Sequence, residues 1–153
     1  MKTARTNDAN SAPNTDNTPE APGAHTMELL LPAGSPEALY AAIEGGADAV
    51  YLGLDHFSAR GRAKNFSRAN FLAACHLTRE KGVKLYLALN TLVKNDELPL
   101  LIETLVFAAA AGVDAIIVQD WGVFYIIKKY FPDIPVHAST QMALHTSLGA
   151  RMA

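Results

Sequence analysis

The chain has 153 residues, half of them hydrophobic and 18% charged, with a formal net charge of −2. That composition supplies one domain with a real core and excludes a chain-wide basic footprint for nucleic acid, leaving only local patches. The single cysteine, Cys75, excludes an intrachain disulfide and a thiolate cluster for zinc or iron–sulfur built from this sequence alone, and it points to a reducing cytoplasm.

Residues 1–26 are rich in Asn, Thr, Pro and Ala and are expected to form a disordered extension. They lack the apolar stretch of a secretory signal, and Asp8, Asp16 and Glu20 count against a transit peptide. Ordered structure is expected over 27–153. No apolar run reaches the roughly 18 to 20 residues of a membrane span.

ELLL (28–31) predicts a buried strand. Ser35 then suits an N-cap, Pro36 the first helical position, and Gly45 with Gly46 the helix end. ADAVYLGL predicts a second strand ending near Leu52, followed by the polar loop GLDHFSARGRAKNF. Ser67 caps a second helix running to about Lys81, with Gly82 as its stop. VKLYLALN (83–90) is the third strand, and a third helix runs from about Glu97 to Ala111 before Gly112. VDAIIVQD (113–120) is the fourth strand, WGVFYIIKKYFP a short helix ended by Pro132, and IPVHAST (134–140) the fifth strand. SLGARMA opens a further helix.

Gly46, Gly82 and Gly112, at spacings of 36 and 30 residues, each stop a helix and lead into an apolar strand. This is a repeated βα unit, and near-continuous apolar strands imply a parallel sheet buried on both faces. A doubly wound sheet and part of a (β/α)₈ barrel both fit. LLLPAGSPE has no glycine-rich phosphate loop, and polar residues recur at strand ends: Asn90, Gln119 with Asp120, and Ser139 with Gln141. In a barrel these converge on one mouth, so an α/β partial TIM-type barrel of about five parallel strands is expected. A closed barrel takes about 250 residues, so the chain reads as the front portion of a longer protein.

His137 and Ser139 are read as sharing one strand face roughly 6 to 7 Å apart, with Asp120 on the neighbouring strand within reach of His137. A serine triad is disfavoured, because Ser139 lies in A-S-T-Q and not on a G-x-S-x-G elbow. A hydrogen-bonded polar layer at the mouth is the better reading. Arg60, Arg62, Lys64 and Arg68 place four cations in nine residues after the second strand. They suit either phosphate or carboxylate capture or an ordinary solvated loop. Cys75 reads as a small buried hydrophobe, and Trp121 as a packing residue.

Taken together, ELLLPAGSPEAL, GGADAVYLGLDHFSARGRAKNFS, KGVKLYLALNTLVKNDEL, GVDAIIVQDWGV and HASTQMALHTSLGAR resemble successive blocks of the collagenase-like peptidases, family thirty-two of unknown catalytic type. The resemblance implies the front of a TIM-barrel-like domain in a bacterial cytoplasmic protein. It also implies either proteolysis, as the family name says, or oxygen-independent hydroxylation of a tRNA uridine (with prephenate), an rRNA cytidine or a ubiquinone precursor. Members of the hydroxylating kind carry an iron–sulfur cluster on cysteines that Cys75 does not match.

Three readings follow: part of an RNA-hydroxylating enzyme, a peptidase, or a non-enzymatic truncated paralogue or binding subunit. The candidate catalytic residues are Asp120 and His137. The candidate binding residues are Arg60, Arg62, Asn65, Asn90, Gln119, Ser139 and Gln141, and no metal ligands are read. The implied partners are RNA, a small anionic co-substrate, and either the rest of the barrel or an oligomer partner to cover the open sheet edge.

Overall fold

A computed structural model describes residues 27–59 and 65–152. The expectation for residues 1–26, and those for Arg60, Arg62 and Lys64, lie outside the described residues. The elements alternate as β1 (Leu30–Pro32), α1 (Pro36–Glu44), β2 (Ala49–Leu52), α2 (Arg68–Lys81), β3 (Lys84–Leu89), α3 (Leu98–Ala111), β4 (Ala115–Val118), α4 (Trp121–Tyr130), β5 (Val136–Ala138) and α5 (Ser147–Met152).

Local chemistry sets the helix ends where the sequence places them. Ser35 and Ser67 accept the backbone N–H groups of Ala38 and Asn70, capping α1 and α2. Gly82 and Gly112 end α2 and α3 in the left-handed region, at φ 68° and 71°, which a side chain would disfavour. Pro36 opens α1, where its missing N–H costs nothing.

All five strands are parallel and lie in the order β1-β2-β3-β4-β5. This order decides between the two architectures left open above. A doubly wound sheet reverses direction at a switch point and carries helices on both faces. Here five strands follow one another as neighbours, and α1 to α4 all pack on one face through Leu39, Phe71, Leu101, Leu105 and Ile127, as in a partial (β/α) barrel.

The helix-side face holds the main core. Val50, Leu52, Leu85, Leu87, Leu89, Ile116 and Val118 alternate along β2 to β4 and pack against Leu39, Phe71, Leu101, Leu105 and Ile127 from the helices. Burying each such side chain fully contributes about 2 kcal/mol. The opposite face carries Ala49, Tyr86 and Ala115 with Tyr51 and Ile117 beside them. The expectation that both faces are buried therefore needs correcting. Tyr51 and Ile117 are half-buried, and Leu30 and His137 are exposed, because no helix among the described residues covers that side. β1 and β5 are the open edges of the sheet.

Candidate functional site at the strand C-termini

The register aligns the ends of β3, β4 and β5. Leu89 pairs with Val118, and Val118 with Ala138. Asn90, Gln119 and Ser139 are the next residue on each chain, so they stand on one level at the strand C-termini. Adjacent strands are about 4.8 Å apart, which separates Asn90 from Ser139 by about 10 Å. Gln141 closes that gap. Its Oε1 accepts from Asn90 Nδ2 at 2.9 Å and from the Ser139 hydroxyl at 3.3 Å.

Ser139 does not belong to the fifth strand, which ends at Ala138. It caps a short turn, Thr140–Met142, and its Oγ accepts the Gln141 N–H at 3.3 Å. Backbone from the β2 loop joins the same group, since the Ala59 N–H donates to Asn90 Oδ1 at 3.1 Å. The result is a neutral amide–hydroxyl network tying the loops after β2, β3 and β5.

Asp120 and His137 are not brought together. His137 pairs in register with Ile117, three residues before Asp120, so about 10 Å of strand separates their levels. Asp120 caps α4: its Oδ1 accepts the Gly122 and Val123 N–H groups at 2.7 and 3.1 Å, and its Oδ2 accepts the Val93 N–H at 3.4 Å. His137 packs on the sheet's helix-free face against Tyr86. Among the described residues no histidine is hydrogen-bonded to Ser139 or Asp120.

Tyr86 donates to Glu28 Oε1 at 2.6 Å, and Lys84 Nζ meets Glu28 Oε2 at 2.6 Å. These two hydrogen bonds hold the Glu28 carboxyl below its ordinary range. Burial and then the Glu28 hydrogen bond push the Tyr86 phenol up. The group stabilises the start of the sheet, at the end opposite the polar row.

The loop after β2 contributes more than its charges. Leu54 and Phe66 form a parallel bridge, and Phe57 and Phe66 are buried, so the loop folds onto the sheet. Ser58 Oγ is buried and has no hydrogen-bond partner among the described residues. Gly53, at the end of β2, faces it closely: a Cβ there would lie 2.2 Å from Ser58 Oγ and 3.5 Å from Asn65 Oδ1. Asn65 thus stands beside the end of β2. Arg68, the described cation of the basic stretch, turns instead to α3, with Glu103 at 3.5 Å and the Phe107 ring at 5.3 Å.

Sequence reading passed over Gly53, Phe57 and Ser58. The available signal was a glycine followed by a short aromatic–serine turn at a strand C-terminus. Trp121 is 46% exposed and meets Phe124 of its own helix edge-on, so the packing expected for it is only partial.

Cys75 is buried on α2, and burial pushes its thiol up to about 11. Among the described residues no group of three or more His, Cys, Asp or Glu side chains is placed to hold a metal ion. An iron–sulfur cluster does not fit these residues. A cleft of about 240 Å³ beside Cys75, lined by Arg79, Lys84 and Asp114, opens near the strand N-termini, away from the polar row. No helix among the described residues is long and apolar enough to cross a membrane.

Residues 34–153 match the family described as Peptidase family U32. The chain belongs to that family. It is 39% identical over 125 residues to an uncharacterized protease of Methanocaldococcus jannaschii, covering 82% of this chain and 30% of that protein. It is also 39% identical over 127 residues to tRNA hydroxylation protein P of Helicobacter pylori, with the same 82% and 30% shares. A 23S rRNA 5-hydroxycytidine synthase of Escherichia coli is 38% identical over 122 residues, 80% of this chain and 18% of the synthase. The chain therefore spans less than a third of the length of these U32 relatives. A solved U32 peptidase superposes with a TM-score of 0.67 at 16% identity, over 86% of this chain and 56% of that one, and shares its fold.

Proposed function

We propose that this U32 chain forms part of the substrate-binding wall of an enzyme that hydroxylates an RNA base. The observation that carries the reading is the neutral network of Asn90, Ser139 and Gln141 at the strand C-termini. Active sites of (β/α) barrels form at that end, and neutral amides suit the edge of a nucleobase. The relatives named for tRNA and rRNA hydroxylation point the same way.

In this reading Asn65 and Gln119 extend the polar wall. Arg60 and Arg62 supply charge toward phosphate or a small anionic co-substrate. The redox centre is an iron–sulfur cluster on cysteines other than Cys75, and the protein works in the cytoplasm. Further strands of the barrel, or a second copy, cover β1 and β5. A peptidase would need an activated nucleophile. Ser139 Oγ is instead engaged with Gln141, and Asp120 with backbone amides.

The test is mass spectrometry of nucleosides from tRNA and rRNA of a strain lacking the gene. A hydroxylated nucleoside should lose one oxygen and regain it on complementation with the intact reading frame. An unchanged nucleoside profile would sink the reading.

A further inference from the structure

Ala59, Asn90 and Gln141 form a chain of hydrogen bonds whose polarity is fixed at one end. A backbone N–H can only donate, so the Asn90 atom meeting the Ala59 N–H at 3.1 Å is the carbonyl oxygen Oδ1. Asn90 then turns its NH₂ toward Gln141, and the Gln141 atom receiving it at 2.9 Å is Oε1. Amide oxygens and nitrogens are told apart by such networks, and here the anchor is unambiguous.

Ser139 reinforces the same orientation. Its Oγ accepts the Gln141 backbone N–H and directs its own hydrogen to Gln141 Oε1, both at 3.3 Å. Gln141 Oε1 thus accepts two hydrogen bonds, which fills its capacity. The Gln141 side chain is exposed, and its Nε2 has no partner among the described residues. Reversing that amide would set NH₂ against NH₂ and leave Asn90 without an acceptor, a net loss.

Backbone strain marks the same two loops. Phe57 at φ 64° and Ala143 at φ 55° are the positive-φ non-glycine residues among those described. Phe57 lies two residues before Ala59, and Ala143 two residues after Gln141. Strained non-glycine positions persist where the surrounding structure holds a loop in one shape, often at a binding site.

We propose that Gln141 is a specificity-determining residue that offers a neutral NH₂ donor pair to the carbonyl oxygen at ring position 4 of the substrate base. Asn90 is the positioning residue that sets its polarity. This rests on the RNA-base reading above and goes further, because a donor at this position distinguishes two pyrimidines. Uracil presents an acceptor oxygen at ring position 4, where cytosine presents an amino donor.

The test measures binding of short oligouridylate and oligocytidylate to the full chain and to two variants. Wild type should favour oligouridylate by about five- to tenfold, the scale of one neutral hydrogen bond. In Asn90→Asp both carboxylate oxygens accept, one from Ala59 and one from a reversed Gln141 amide. Gln141 then presents its oxygen, and the preference should move to oligocytidylate. Gln141→Glu, at an exposed position, keeps acceptors for Asn90 and Ser139 and presents an acceptor outward. It should shift the preference the same way and covers the case in which Asn90→Asp does not fold.

A merely structural role for Asn90 would weaken both ligands without changing their ratio. Equal binding by wild type, or an unchanged ratio in the folded variants, overturns the proposal and leaves the RNA reading standing. Failure of wild type to bind either oligonucleotide overturns both.

Discussion

His137 meets Tyr86 edge-on, with ring centroids 4.8 Å apart at 79°. Tyr86 in turn donates to Glu28, which also holds Lys84. The histidine that sequence order placed beside a serine therefore belongs to a stack that leads back toward the start of the sheet. Edge-to-face geometry of this kind adds about 0.5–1.5 kcal/mol beyond the area buried.

The Glu28 carboxyl gives that stack a pH signature. Hydrogen bonds from Lys84 and Tyr86 hold its folded pKa below the ordinary 4.5. The folded value lies under the unfolded one, so the charge stabilises the protein above about pH 4.5. That contribution is lost as the pH falls through the lowered folded value. Thermal melts of wild type and Glu28→Gln should differ near neutrality and converge in acid. A gap that stays constant into strong acid would contradict the pairing.

Asp120 is predicted to behave as a helix cap. Its Oδ1 takes two backbone N–H groups of α4 and its Oδ2 takes the Val93 N–H. Asp120→Ala should cost about 1–2 kcal/mol in a denaturant titration, and Asp120→Asn less, because its amide oxygen keeps the α4 cap while its NH₂ gives up the Val93 N–H. Equal losses in the two variants would mean that the charge, rather than the cap, matters.

The contrast between Asp120 and Ser67 shows where sequence reading succeeds. Ser67, Ser35, Gly82 and Gly112 act within a few residues of themselves, so their caps and stops were legible as local patterns. So was the βα repeat, from which the partial barrel follows. The partnership of Asp120 depends instead on register. One strand pairing, Ile117 with His137, sets the two candidate residues three levels apart. Likewise Ser139 looked like strand because A-S-T continues an apolar run, yet its hydroxyl is spent capping a turn. The polar rim was visible as residue types at strand ends. Its wiring through Gln141 was not, because it joins residues up to 51 positions apart.

Gly53 should be intolerant of any side chain. A Cβ there would lie 2.2 Å from Ser58 Oγ and 2.5 Å from Ser58 Cβ, closer than real contacts allow. Gly53→Ala should cost about 1–3 kcal/mol through overpacking. Because both clashing atoms belong to one side chain, Ser58→Gly in the same molecule should restore much of the loss. A double variant no more stable than Gly53→Ala would show that backbone, and not Ser58, makes the close approach.

Cys75 should be chemically silent in the native state. It is buried on α2, and burial raises its thiol from 9.0 to about 11, with Arg79 opposing and Asp114 adding to the shift. The thiolate is the reactive species, so little is available near neutral pH. Iodoacetamide should label the folded chain slowly and the denaturant-unfolded chain quickly. The raised pKa also sets a direction for stability. The neutral buried thiol contributes fully below about pH 9, and that contribution is lost as the pH rises through about 11. Cys75→Ala should therefore lose less stability than wild type across that alkaline interval. Native labelling as fast as unfolded labelling would place Cys75 at the surface and remove the basis for both expectations.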